Sequence, residues 1–179
     1  MKLRTGTAFV IMIVLVVGAV FFGAYRGWTQ ERARVEDTSA GLETMLRTRV
    51  ESAYNVLAVA ARHLPESDET LQRVISDRDA LERESATLPE KGAANDALTR
   101  DVAALLEKLS GMGSVRQDSR DWGYVSGYLP QMMEQSEEKT VGANYNTAAQ
   151  EYNRNFKNTF SGMLARLMGI HAAEEFKAQ

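Results

Sequence analysis

The stretch AFVIMIVLVVGAVFFGAY, from Ala8 to Tyr25, contains no charged residue and follows Lys2 and Arg4 near the N-terminus. A helix rises about 1.5 Å per residue, so this stretch spans about 27 Å, close to the thickness of the hydrocarbon core of a bilayer. It therefore predicts a helix that crosses a membrane once. We expect three parts in the chain: a short tail at residues 1–6, a transmembrane helix at 7–26 and a helical domain at 27–179.

A cleaved signal peptide is the main alternative to an anchor, because Lys2 and Arg4 precede the apolar run. Signal peptidase prefers small residues in an Ala-x-Ala-like triplet just after the apolar core. The triplet found there is Phe22-Gly23-Ala24, which places a bulky ring where a small residue is needed. We therefore favour an uncleaved anchor over a secreted product. The sequence has no Cys, so a lipid attached through a thiol is excluded.

Basic residues stand on both sides of the apolar run. Lys2 and Arg4 precede it, and Arg26, Arg32 and Arg34 follow it. The positive-inside rule compares these two flanks, and their charges nearly balance. The side of the membrane on which the helical domain lies is therefore left open by the sequence.

The composition excludes several classes of partner and site. The net charge is −3, and Lys and Arg alternate with Asp and Glu along the chain, so there is no basic face of the kind that binds nucleic acid. Without Cys there is no disulfide framework and no thiolate metal site. We expect no cofactor and no bound metal.

The rest of the chain has the pattern of helices separated by prolines, which occur only at positions 65, 89 and 130. Each proline predicts a helix boundary. The first helical face has apolar residues three or four apart: Leu42, Leu46, Val50, Ala53, Leu57, Ala60 and Leu64. Gly27 and Gly41 are isolated and no proline intervenes, so the anchor helix could continue directly into this segment.

Two further helices and a loop follow. We expect Pro65 to start a helix, with Asp68 and Glu69 near its positive end and an apolar face at Leu71, Val74, Ile75 and Leu81. A break is expected at 88–92, and whether Pro89 ends or kinks the helix is open. The next apolar face is Leu98, Val102, Leu105, Leu106 and Leu109. The glycine-rich stretch 110–127 is predicted to be a loop where the chain reverses direction.

The last long segment repeats a Tyr-Asn dipeptide at a seven-residue interval, as Tyr145-Asn146 and Tyr152-Asn153. With Ala149 and Phe156 between and after them, the tyrosines form a stripe on one helix face, which is typical of a core. Both asparagines lie at the edge of that stripe, where their amides can bond to a neighbouring helix. A groove for a ligand or a peptide is the alternative. These four polar residues are our first candidate structural or interaction residues.

The types of residue and their spacing, across nearly the whole chain, resemble those of the LemA family of bacterial membrane-anchored helical proteins. The resemblance covers Tyr25 at the membrane exit, the paired Tyr-Asn repeat and the closing SGMLARLMGI run. It also covers positions where the family carries the same type of residue: Arg32, Val35, Glu36, Asp37, Leu42, Glu43, Leu46, Arg49, Asn55, Leu71, Val74 and Arg78. It adds Arg49, Asn55 and Arg78 to the candidates. The resemblance implies an all-α fold, with a transmembrane helix followed by an elongated antiparallel bundle of about four helices, in the bacterial cytoplasmic (inner) membrane.

No residue pattern in the sequence indicates catalysis. His63 and His171 are the only histidines, and neither lies in a cluster of potential ligands. The acids Asp77, Asp79, Glu82 and Glu84 alternate with Arg78 and Arg83, as on an ordinary solvated helix face. The LemA resemblance implies no established catalytic chemistry either. We therefore do not expect an enzyme.

The remaining functions are non-catalytic. We favour a membrane-anchored scaffold or interaction module, with the lipid bilayer and an unidentified membrane or membrane-proximal protein as partners. Self-association is a second form of this hypothesis, since the Tyr-Asn repeat and Met132, Met133 and Met163 could pack against another copy. The alternative is a rod that organises or remodels membranes.

Overall fold

The computed structural model describes residues 5–176, and within that range the fold is all-α, as predicted. Most of the predicted tail, including Lys2 and Arg4, lies outside the described residues. Along the chain the helices are α1 (Thr5–Ala60), α2 (Glu69–Glu82), α3 (Leu88–Gly111), α4 (Gly113–Gln117), α5 (Ser119–Gly123), a π-helical turn (Tyr124–Tyr128), α6 (Leu129–Ser136), α7 (Lys139–Asn158) and α8 (Phe160–Leu167).

The predicted anchor lies in α1, which continues without a break to Ala60. Neither Gly27 nor Gly41 interrupts it, so the anchor segment and the apolar face that follows belong to one helix. Its most apolar window of 18 residues has a mean hydropathy of 2.7, and none of that window is buried. By length and composition, α1 can cross a membrane.

The chain forms two compact units. Within the described range, the first consists of residues 5–37 and 147–173, and the second of residues 38–146 and 174–176. The first unit has an aromatic core. Trp28 of α1 meets the rings of Tyr152 and Phe156 edge-on, with centroid distances of 5.5 and 5.3 Å. Both tyrosine and phenylalanine are buried, as the stripe on α7 predicts.

A tight turn joins α7 to α8 in the first unit. Thr159 caps α8 by accepting a hydrogen bond from the backbone N–H of Gly162 at 3.1 Å. A Cβ atom at Gly162 would lie only 2.1 Å from the carbonyl oxygen of Phe156. Because that oxygen belongs to the backbone, only glycine fits at this position.

Glycine also ends α8. Gly169 has a φ of 80°, and its N–H donates to the carbonyl of Arg166 at 3.1 Å. The N–H of Ile170 donates to the carbonyl of Ala165 at 3.0 Å. These two bonds form a Schellman motif, which stops the helix. The chain then continues through residues 170–175 without helix or strand.

The second unit buries the helix faces expected from the sequence. The predicted face of α1 is buried throughout residues 42–60, and Leu64 is buried just after the helix ends. Helix α2 packs against α3. Their buried apolar residues are Leu71, Val74 and Leu81 on α2 and Leu98, Val102, Leu105, Leu106 and Leu109 on α3.

The prediction that Pro65 starts a helix is wrong. The helix begins at Glu69, and Asp68 is its N-cap, with a carboxylate that accepts the backbone N–H groups of Thr70 and Leu71 at 3.0 and 3.2 Å. A carboxylate that satisfies two free N–H groups defines the start of a helix better than the restricted φ of a proline does.

Pro89 neither ends nor kinks a helix, because it lies in the first turn of α3. Thr87 is the N-cap, and its N–H donates to the Glu90 carboxylate at 2.7 Å while its hydroxyl accepts the Glu90 N–H at 3.4 Å. This capping box fixes the start of α3. The break predicted at 88–92 therefore lies earlier, at residues 83–87.

The glycine-rich stretch 110–127 is helical, so the predicted loop is wrong. Asp118 caps α5 by accepting the N–H groups of Arg120 and Asp121 at 3.0 Å each, and Val115 and Val125 are buried. Local capping and burial outweigh the glycines here. The chain does turn back in this stretch, since α6 contacts α3.

The boundary predicted at Pro130 is a change of helix type without an interruption. Helical structure is continuous from Ser119 to Ser136, with the π-helical turn just before the proline. Within this turn the N–H of Leu129 donates to the carbonyl of Tyr124, five residues back. The wider turn accommodates a residue that cannot donate a backbone hydrogen bond.

Candidate binding and interaction sites

In the first unit, Tyr152 and Asn153 hold the backbone of the segment that follows α8. The Tyr152 hydroxyl donates to the carbonyl of His171 at 3.1 Å. The Asn153 amide donates to the carbonyl of Ala173 at 2.9 Å and accepts its N–H at 2.8 Å. Burial raises the pKa of Tyr152, which keeps its hydroxyl protonated as a donor.

In the second unit, Tyr145 and Asn146 bind the end of the same segment. The Tyr145 hydroxyl donates to the carbonyl of Glu174 at 2.8 Å, and the Asn146 carbonyl oxygen accepts the N–H of Phe176 at 2.8 Å. The Phe176 side chain is buried against Gly142, where a Cβ atom would lie 3.4 Å from the ring. Each Tyr-Asn dipeptide thus binds two backbone positions that are two residues apart.

This arrangement confirms the buried tyrosine stripe and corrects the expected partner of the asparagines. Their amides bond to a non-helical C-terminal segment, whereas the sequence predicted a neighbouring helix. A helix interior already uses its backbone N–H and C=O groups, but a non-helical segment needs partners for them. Because the bonds reach backbone atoms, they place no demand on the side chains of the bound segment.

Arg49 is the most buried of the predicted residues, with 1% of its surface exposed. Its guanidinium donates to the Thr99 hydroxyl at 2.5 Å, the Met133 carbonyl at 3.2 Å and the Ser136 hydroxyl at 3.4 Å. The Glu137 carboxylate lies 4.0 Å away. Burial lowers the pKa of Arg49, and the nearby acid opposes that shift. Arg49 therefore connects α1 to α3 and α6.

Several clefts lie in the second unit. One, of about 380 Å³, is lined by Arg49, Thr99, Val102, Ala103, Leu106, Pro130, Met133, Glu134 and Glu137. Another, of about 340 Å³, is lined by Met45, Asn95, Glu137, Glu138, Lys139, Gly142, Ala143, Asn146 and Phe176. Each is at the lower end of the size of ligand pockets.

Asn55 and Arg78 each have their own contacts, which they do not share with Arg49. The Asn55 amide is exposed and donates to the carbonyl of Glu51 at 3.1 Å. The Arg78 guanidinium lies 4.3 Å from the ring centroid of Tyr54, a cation–π geometry. Within residues 5–176, no hydrogen bond or ion pair connects any two of Arg49, Asn55 and Arg78, so these candidates do not form one site.

The expectation of a fully solvated acidic face on α2 is wrong at Asp77. One of its carboxylate oxygens, Oδ2, is buried without a hydrogen-bond partner in the described part of the chain. Burial and the neighbouring carboxyl group of Asp101 on α3 raise the pKa of Asp77 to about 6, against the influence of Arg100 and Arg73. Charge alternation in sequence did not reveal this, because the second acid belongs to another helix.

A polar cluster that joins α5 to the turn after α1 was not predicted from the sequence. The Arg62 guanidinium donates twice to the buried Asp121 carboxylate, at 2.8 and 2.5 Å. His63 Nε2 lies 2.8 Å from the same carboxylate, and His63 Nδ1 lies 3.2 Å from the Ser114 hydroxyl. The bonds from Arg62, with a smaller contribution from His63, lower the pKa of Asp121 to about 2. The only local clue was the pair of acids at 118 and 121, which suits the start of a helix.

Hydrogen bonds connect Ser114 to His63 and His63 to Asp121, as in a serine hydrolase triad, but Asp121 also binds Arg62. In a triad the aspartate orients the histidine and stabilises its positive charge. Here Arg62 already bonds both carboxylate oxygens and offsets their charge. The arrangement fits a connection that fastens α5 to the end of α1.

No protein-family model and no curated protein matches the chain.

Proposed function

We propose that this chain is a single-pass protein of the bacterial cytoplasmic membrane, anchored by α1, and that its other helices form a scaffold or interaction module. One observation carries the proposal: the most apolar window of α1 is entirely unburied. Side chains such as Phe9, Val14 and Leu15 face outwards along it. A contiguous apolar surface of this size is unfavourable in water and favourable in the hydrocarbon of a bilayer.

Membership of the LemA family is part of the same proposal. It rests on the spacing of Tyr25, the two Tyr-Asn dipeptides and the SGMLARLMGI run. The buried contacts of Tyr152 and Asn153 and the helix stop at Gly169 give physical reasons for residues in those motifs. Catalysis forms no part of the proposal.

An exposed patch of aromatic and arginine residues supports the interaction role. It consists of Arg116, Arg120, Trp122, Tyr124 and Tyr128 in the second unit. Trp122 and Tyr128 are exposed, and Arg116 and Arg120 lie 5.7 and 5.8 Å from the rings of Trp122 and Tyr124. Trp, Tyr and Arg dominate the binding energy of protein interfaces, so this patch is the surface we assign to a protein partner.

The anchor is tested by alkaline extraction of membranes. The wild-type chain should stay in the membrane pellet, with a mass that retains residues 8–25. A double variant, Val14→Lys with Leu15→Lys, should lose membrane association, because charges at the centre of the helix oppose insertion. The control is Thr29→Lys, outside the apolar run. A shortened wild-type chain in the soluble fraction would favour a cleaved signal peptide and refute the anchor.

The interaction role is tested by photo-crosslinking in native membranes. A photoreactive amino acid at position 122 or 128 should give a discrete crosslinked product with another protein. The control position is Tyr54, which is also exposed but lies outside the patch. If both patch positions gave only uncrosslinked monomer and no protein co-purified in mild detergent, both the scaffold hypothesis and the self-association hypothesis would be contradicted. Protease accessibility on intact cells shows the side occupied by the module.

A further inference from the structure

Helix α8 exposes three large apolar side chains on one face. Phe160, Met163 and Leu167 are 69%, 45% and 74% exposed. Their spacing of three and four residues puts them in one stripe, while Gly162 and Ala165 are buried on the opposite side and Leu164 is buried at the edge of the stripe. The stripe is therefore an apolar surface that an apolar environment would stabilise.

Contacts inside the first unit place α8 beside the end of the apolar run. Trp28 follows Tyr25, the last residue of that run, by less than one helical turn. Its ring lies 5.3 Å from the ring of Phe156. The Phe156 carbonyl in turn lies 2.1 Å from the position of a Cβ atom at Gly162, in the first turn of α8. Phe156 therefore lies between Trp28, just after the apolar run, and the first turn of α8.

We propose that the stripe formed by Phe160, Met163 and Leu167 docks into the interface of the lipid bilayer that α1 crosses. This inference rests on the proposed anchoring by α1. The occupant is the boundary between acyl chains and headgroups, where short amphipathic helices insert their apolar face. When α1 crosses a bilayer, this boundary lies at the end of the apolar run. Helix α8 lies next to that end.

Basic residues complement the stripe. Arg166 of α8 and Arg26 of α1 are exposed, and neither forms an ion pair with a described residue. The Arg166 guanidinium lies 5.8 Å from the Phe156 ring centroid. Arg166 is on the helix that carries the stripe, and Arg26 directly follows the apolar run, where guanidinium groups suit the phosphates of anionic headgroups.

The chain contains no Cys, so single-Cys variants can report on the stripe directly. Full-length Phe160→Cys, Met163→Cys and Leu167→Cys variants are labelled with the environment-sensitive dye NBD and reconstituted into vesicles of phosphatidylethanolamine and phosphatidylglycerol. Parallel vesicles contain a lipid with a nitroxide quencher near the headgroup. Two reference positions are labelled in the same way: Val14→Cys in the middle of the apolar run and Glu151→Cys on an exposed part of α7.

We expect the nitroxide lipid to reduce NBD fluorescence at least about twofold at all three stripe positions, with little change at position 151. If the label at position 14 contacts lipid, shown by a quencher deep in the acyl chain, but the stripe labels are not quenched, the docking proposal is wrong and the anchor stands. A blue-shifted but unquenched stripe would assign it to a second copy or another protein, which also overturns docking. No lipid contact at position 14 would refute the anchor itself.

Discussion

Replacement of Asp77 by asparagine should remove a loss of folding stability that occurs as the pH rises and that originates between α2 and α3. Asp77 lies against Asp101, whose carboxylate is also 3.4 Å from Arg73 and 3.6 Å from Arg100. Burial and the second carboxyl group raise the pKa of Asp77 from 3.8 to about 6. The folded protein therefore favours the protonated form, in which one carboxyl group can donate a hydrogen bond to the other.

The sign of the effect follows from proton binding. Between about pH 4 and pH 6 the folded state keeps the Asp77 proton while the unfolded state has lost it. Stability should therefore fall as the pH rises through this window and then level off. A shift of about two pKa units corresponds to at most about 3 kcal/mol, and partial solvation of Asp77 reduces the expected loss to about 1–2 kcal/mol.

An amide at position 77 has no charge to bury and can donate an N–H at every pH. Asp77→Asn should match the wild type near pH 4 and exceed its free energy of unfolding by about 1–2 kcal/mol at pH 7.5. The measurement is denaturant unfolding of the full-length chain in mild detergent, followed by circular dichroism at several pH values. The difference between variant and wild type removes the titration of all other acids.

Asp79→Asn is the matched control, since Asp79 lies on the same helix with an exposed carboxylate. Its difference from wild type should not rise between pH 4 and pH 7.5 in the way expected for Asp77→Asn. A pH-independent difference for Asp77→Asn, or a variant less stable than wild type at pH 7.5, would refute the reasoning about the carboxyl pair.

Three more substitutions test other contacts. Gly162→Ala should lower stability by at least about 2 kcal/mol, seen as a lower melting temperature, because the new Cβ meets the Phe156 carbonyl. Arg49→Met should cost about 2–4 kcal/mol in denaturant unfolding, since buried acceptors lose their donor. Asn153→Ala should free both backbone groups of Ala173, giving faster amide exchange there and earlier proteolysis of the C-terminal segment.

Each of these three substitutions has a control in which a residue of the same type is replaced elsewhere. Gly111→Ala adds a Cβ where no atom lies within 4 Å, and Arg47→Met removes an exposed arginine two residues before the buried one. Asn155→Ala removes an exposed amide two residues after Asn153. Equal effects of test and control in any pair would show that the specific contact contributes nothing.

Helix faces could be predicted from the sequence because burial follows the 3.6-residue period. The apolar positions of α1 and α3, and the tyrosine stripe of α7, are buried as their spacing predicts. Helix ends were less predictable. At residues 65–69 and 110–127, the decisive groups are cap side chains that accept backbone N–H bonds, and their effect outweighs that of nearby proline or glycine.

Most polar contacts between distant segments could not be predicted. Arg62 and Asp121 are far apart in sequence, and nothing in either neighbourhood specifies the other. The Tyr-Asn repeat is intermediate: its period predicted which side of α7 is buried, while the partner of Asn146 and Asn153 depends on where the chain goes after α8. Periodicity specifies a face, and tertiary structure specifies what that face meets.

One physical requirement links the apolar run of α1 to the stripe on α8. Isolated exposed apolar side chains are common on soluble proteins and need no explanation. In the first unit, however, the exposed apolar residues are grouped, over residues 8–25 and at Phe160, Met163 and Leu167. Gly162 lets α8 approach the backbone of Phe156 closely, and the Phe156 ring contacts Trp28, just after the apolar run. A single bilayer would remove both surfaces from water, whereas a protein partner would need to cover each of them separately.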